Sequence, residues 1–189
     1  LLGQHAGVSD RAGGGYLTWV SGYVTWVSKW TLVRTSIATA VAAGAGAVAT
    51  RPDSSWYLSL DKPAWQPPRS AFPAVWTPIY LLIAFAGARA LDGTAGDDHR
   101  RRLRRAFGIN LLLNAAWTPL FFRVRSPGLA FAEILALDAS NVDLLRRAWH
   151  ADRSAGVALL PYLTWTGFAT ALNAAIAARN PSAQEAGSG

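Results

Sequence analysis

The sequence predicts an all-α membrane protein, a five-transmembrane-helix bundle with a Trp/Pro-rich loop between helices 1 and 2. Three observations lead there. The 189 residues are 51% hydrophobic and only 15% charged, against about 25% charged in ordinary soluble domains. Five apolar segments each run about 17–25 residues, the length a helix needs to cross a hydrocarbon core of about 30 Å. The basic residues are unevenly placed, with five arginines between Arg100 and Arg105. Beside long apolar segments, such a cluster reads as a membrane flank rather than a nucleic-acid surface.

The chain divides into an N-terminal extension (1–31), a five-helix membrane domain (32–180) and a flexible tail (181–189). Residues 1–15 are polar and glycine-rich and are expected to be disordered. A short repeat follows, YLTWVS at 16–21 and YVTWVS at 23–28. Its Tyr16, Trp19, Tyr23, Trp26 and Trp30 recur every three or four residues, one aromatic stripe on a helix. The stripe fits an interfacial helix lying in the headgroup region. A poorly structured extension is the alternative, since Thr, Val and Tyr are mediocre helix formers. The first 30 residues lack the clean apolar stretch of a cleavable signal peptide.

The first span (33–50) is built almost entirely of small residues. Pairs such as Ala40/Gly44 and Ala42/Gly46 let helix backbones approach closely in lipid. Residues 51–71 form the aromatic loop, stiffened by Pro63, Pro67 and Pro68. The second span (72–91) opens with FPAVWTPIY. Residues 92–105 are expected to be a charged turn. The third span (106–122) ends at a short turn containing Arg123, Arg125 and Pro127. The fourth (128–145) carries Glu133, Asp138 and Asp143, and 146–153 is expected to be the next turn. The fifth span is 154–178. Twelve of the 18 basic residues then fall on the side of the N-terminus, and six on the other. In a cytoplasmic membrane this puts the N-terminus in the cytoplasm and the aromatic loop and C-terminus outside. In an outer membrane the rule has less force.

Several chemistries find no support. There is no cysteine, hence no disulfide or thiolate chemistry. His5, His99 and His150 share no metal-ligand spacing. Neither a Ser-His-Asp set at membrane depth nor a phosphate-binding glycine loop is evident. The carboxylates of the fourth span are costly in a membrane. They read either as a proton or ion path or as polar partners for other helices, with Asp143 placed to pair with Arg146 or Arg147.

The stretches WYLSLDKPAWQPP, FPAVWTPIY, NLLLNAAWTPLFF and PYLTWTGFATALN, in that order, resemble the TspO/MBR family of tryptophan-rich sensory and translocator proteins. The resemblance covers about residues 33–180. It implies a five-helix bundle in a bacterial cell membrane, a homodimer, and a pocket beneath the aromatic loop. It needs no cofactor and takes a porphyrin, protoporphyrin IX or heme, as ligand. It also implies site residues: Trp76, Asn114, Trp165 and Ala169, with Leu172 beside Ala169 as a small–apolar pair. Trp76 and Trp165 match tryptophans linked to porphyrin chemistry and are the candidates for any catalytic role. Tyr80 closes the motif that holds Trp76. Tyr57 and Trp65 either close the pocket or brace the loop. Asn114 either lines the pocket or bonds across helices, while Trp117 and Trp149 read as packing anchors. A flat macrocycle is well held by aromatic faces with a few polar groups. Three functions follow: a porphyrin sensor or carrier, an enzyme that degrades porphyrin with light and oxygen, and a structural membrane protein. The cholesterol pattern of animal members is incomplete in ALNAAIAAR (Ala171 to Arg179), which lacks the central tyrosine. Cholesterol is therefore a doubtful partner.

Overall fold

The computed structural model describes residues 27–181. Their helices are α1 (Lys29–Ala49), α2 (Ser55–Ser59), α3 (Ala71–Gly93), α4 (Asp97–Phe122), α5 (Pro127–Ala151) and α6 (Arg153–Arg179). Five are long, between 21 and 27 residues. They close into a ring in which α1 packs on α3, α3 on α6, α6 on α5, α5 on α4, and α4 on α1. Three of them, α1, α3 and α6, are long and apolar enough to cross a membrane, with mean hydropathies of 1.4, 1.6 and 1.3. The other two match them in length but carry more charge: arginines at the start of α4, carboxylates along α5.

Local chemistry sets the helix ends. Ser54 and Ser126 accept hydrogen bonds from Tyr57 N–H and Leu129 N–H, capping α2 and α5, and Pro127 begins α5 where its missing N–H costs nothing. Asp152 is the single residue between α5 and α6. Its carboxylate caps α6 through Ala155 N–H and pairs with Arg89 of α3 at 2.6 Å. Hydrogen bonds on that carboxylate, from Ser154, Ala155 and Arg89, outweigh the upward push of its burial and hold it below the usual aspartate range. The α5–α6 hairpin is tight because Gly156 lies against the Trp149 ring, where a Cβ would collide.

Three segment assignments need correction. The charged turn at 92–105 is helical from Asp97 onward. Arginine is a good helix former, and Asp97 and Asp98 complement the positive end of the helix dipole. The turn at 146–153 shrinks to Asp152, because residues 146–151 (RRAWHA) hold no glycine, proline or asparagine to end α5 sooner. The aromatic loop contains α2, so Trp56 and Tyr57 are helical. The first long helix begins at Lys29, inside the segment assigned to the extension, and Trp30 on its first turn is exposed. The proposed interfacial helix from Tyr16 to Trp26 lies outside the described residues.

Candidate functional site

Two mid-helix prolines prepare the site. Pro78 of α3 and Pro161 of α6 lack the N–H that would bond Ala74 C=O and Val157 C=O. Both prolines line one open groove between α3 and α6, of about 760 Å³. Its α3 wall is Ala74, Val75, Pro78, Ile79 and Leu82, and its α6 wall is Leu160, Pro161, Thr164, Trp165 and Phe168. Thr164 turns its hydroxyl to Leu160 C=O at 3.0 Å, so the wall is almost wholly apolar. The buried Trp165 indole N–H has no hydrogen-bond partner among the described residues. A volume near 760 Å³ falls within the range of about 300–1,000 Å³ usual for small-molecule sites.

An aromatic ladder runs from the groove to the roof. Trp165 stacks on Phe168 at 5.2 Å and meets Phe72 of α3 edge-on at 6.0 Å. Phe168 in turn meets Trp65 of the loop at 5.8 Å. Trp76 belongs to a different cluster. It stacks on Tyr80 at 5.1 Å and meets Tyr162 edge-on at 6.2 Å, on the inner side of α3.

Behind that cluster runs a directional chain of hydrogen bonds. The Tyr80 hydroxyl donates to Asn114 at 3.0 Å, and the Asn114 amide donates to Tyr162 at 3.1 Å. Tyr162 donates to Asn110 at 3.3 Å, Asn110 to Asn141 at 2.6 Å, and Asn141 to Thr166 at 2.9 Å. The chain ends where Thr166 donates to Leu163 C=O at 3.2 Å. It joins α3, α4, α5 and α6. Asn110, Asn141, Tyr162 and Thr166 are fully buried. Such bonds fix helix register at a modest gain of about 0.6 kcal/mol each, and chains of them strengthen one another.

The roof is the segment 51–70. Tyr57 is buried against Phe121 and Phe122, and its hydroxyl accepts from Gln66 at 3.1 Å. Burial pushes that hydroxyl above its usual value, against the bond from Gln66. Lys62 ends α2 by donating to Tyr57 C=O and Leu60 C=O, both at 2.7 Å. Burial, helped by the charge of Arg69, pushes the Lys62 ammonium downward. An ion pair between Arg69 and Asp53 ties the two ends of the roof together. Asn180, just past α6, accepts from Asp61 N–H and donates to Asp61 C=O, each at 2.9 Å.

Of the residues expected to contact a ligand, Trp165 lines the groove. Trp65 joins it through Phe168, and Ala169, half-buried, packs against the main core. Half-buried Trp76 and Tyr80 and buried Asn114 form the cluster behind α3, whereas Tyr57 and Leu172 belong to the core beneath the roof. Phe168, Pro161 and Pro78 line the groove without having been singled out. Phe168 carried a signal, standing three residues after Trp165 on one helix face. Trp117 donates its indole N–H to Asn173 at 2.9 Å, a packing role. Asp138 accepts from Thr170 at 2.6 Å and Asp143 pairs with Arg147 at 2.7 Å. Glu133 is buried on the inner stripe of α5, and neither carboxyl oxygen has a hydrogen-bond partner among the described residues. Those residues contain no group of acids and histidines suited to hold a metal.

A ring of five long helices, three of them apolar enough to cross a membrane, with an aromatic groove between two of these three, fits a helical membrane protein. The sequence profile of the TspO/MBR family matches residues 34–179, and the chain belongs to that family. It is 32% identical over 146 residues to the tryptophan-rich sensory protein of Cereibacter sphaeroides, covering 76% of this chain and 88% of that one. It is 32% identical to protein CrtK of Rhodobacter capsulatus, covering 77% and 89%. With the translocator protein of Bos taurus the identity is 34%, covering 62% and 70%.

Proposed function

We propose that the chain spans the membrane with all five long helices and binds a porphyrin in the groove between α3 and α6, acting as its sensor or carrier. The observation that carries this reading is the groove itself, an apolar slot walled by Trp165 and Phe168. Aromatic faces of this kind hold a flat conjugated ring. The names of the relatives, a sensory protein and a translocator, agree with sensing or carrying. Spanning by α4 and α5 is supported by their lengths of 26 and 25 residues and by the inward position of Glu133. We place the arginine-rich end in the cytoplasm of a bacterial cell and the roof outside.

The test is titration of the purified protein with protoporphyrin IX in the dark, followed by tryptophan fluorescence. Saturable quenching, weakened by Trp165→Phe, is expected. Quenching that never saturates would refute binding at this site.

A second reading rests on the position of Trp165 at the groove wall. An indole beside a photo-excited porphyrin is an electron donor, and light with oxygen would then consume the ligand. Illuminating the complex and analysing products separates the readings. Equal porphyrin loss in Trp165→Phe and wild type would remove the indole from the chemistry.

A further inference from the structure

We propose that the end of the bundle where α4 begins, α5 ends and α6 begins is a binding surface for anionic phospholipid headgroups. The proposal rests on the membrane-spanning reading above and goes beyond it. Its first support is that the charge placed there exceeds what the fold uses: Arg100 donates to Thr94 C=O at 3.1 Å and three arginines are paired with acids, but others are left over. Helix α4 begins at a positive dipole end, which favours acidic residues, and Asp97 and Asp98 already fill that role. Of the five arginines that follow, Arg100 still lies in the first turn, where it opposes the dipole. The five also oppose one another, since Arg101 and Arg105 stand four apart on one face.

Few acids relieve them. Asp98 takes Arg101, Asp143 takes Arg147, and Asp152 takes Arg89. Arg105, Arg146 and Arg153 are exposed and make no ion pair among the described residues.

The second support is a pattern repeated on three helices. One turn from Arg105 along α4 stands exposed Ile109, and one turn from Arg146 along α5 stands exposed Val142. One turn from Arg153 along α6 stands exposed Val157. Each helix thus presents a cation at the bundle end and an aliphatic side chain one turn inward. That order matches a phospholipid, with an anionic headgroup above its acyl chains. Trp149, half-exposed and seated on Gly156, marks the water boundary at the same end.

The experiment compares thermal unfolding of the full chain in vesicles of phosphatidylcholine with unfolding in phosphatidylcholine mixed with phosphatidylglycerol. Phosphatidylglycerol should raise Tm, and added salt should erase the rise. The combined variant Arg105→Gln, Arg146→Gln, Arg153→Gln should lose it, each arginine accounting for about fivefold in lipid affinity. Arg123→Gln with Arg125→Gln, at the opposite end, should keep it. Equal Tm in the two vesicles, or a full rise in the triple variant, overturns the proposal. So does an equal rise from inorganic phosphate alone, which would make the ligand a free anion. Release of the wild type from membranes by alkaline carbonate would instead refute the spanning reading.

Discussion

Asn114 of α4 donates its side-chain amide to the Tyr162 hydroxyl of α6 at 3.1 Å, while its carbonyl accepts from Tyr80 of α3 at 3.0 Å. One side chain therefore holds three helices in register, immediately behind the Trp76 stack. Asn114→Ala leaves two buried hydroxyls short of a partner. The expected cost is about 1–3 kcal/mol, read as a fall in Tm of the detergent-solubilised protein. Asn114→Asp keeps the acceptor for Tyr80 but loses the donor for Tyr162 and buries a carboxylate, and should fall at least as far as alanine.

Trp165 and Trp76 should differ in ligand binding. Trp165 lines the groove, whereas half-buried Trp76 packs on Tyr80 and Tyr162 and does not. Trp165→Ala removes an aromatic wall and should weaken porphyrin binding by about tenfold, corresponding to about 1.4 kcal/mol. Trp76→Ala should act mainly on stability, because it empties space beside Tyr80 and Tyr162. Measuring Kd and Tm for both variants checks the distinction. A larger Kd change for Trp76→Ala would move the ligand to the inner side of α3.

Glu133 offers a test in the opposite direction. It is buried, and its carboxyl oxygens have no partner among the described residues. Replacing an unsatisfied polar group with an apolar one of similar size is neutral or stabilising. Glu133→Leu should therefore unfold at the same or a higher temperature than wild type. A fall of several degrees would show that Glu133 has a role in the fold that its bonding does not reveal.

Asp152 should set part of the acid sensitivity. Its carboxylate is held below the usual value by bonds to Ser154, Ala155 and Arg89, despite the opposing effect of burial. A group depressed in this way contributes stability above its unfolded value of about 3.9. That contribution is lost as pH falls through the lower folded value. Asp152→Asn should lower Tm at neutral pH and flatten its decline in acid, as a series of unfolding curves against pH would show.

The five long helices were legible because apolar length and flanking charge are local properties. Trp165 was legible from its motif. The arginines at 100–105 misled because a charge run reads as solvent-exposed turn, whereas arginine extends a helix readily once Asp97 and Asp98 start it. The groove was hidden for a different reason. It needs Pro78 and Pro161 side by side, and they are 83 positions apart in the chain. The asparagine chain was hidden likewise, since pairing Asn110 with Asn141 depends on the register of α4 against α5 and not on the pattern along either helix.

Asn180 gives the roof a second attachment that has nothing to do with its own two ends. The paired bonds to Asp61 form a clasp between the outer segment and the tip of α6, the same helix that supplies Trp165 and Phe168. With the Trp65–Phe168 contact, the clasp ties the roof to α6 at two points, so a shift of the roof is carried to the helix that walls the groove. Loosening the clasp at Asn180 should therefore be felt at the groove wall as well as in the roof.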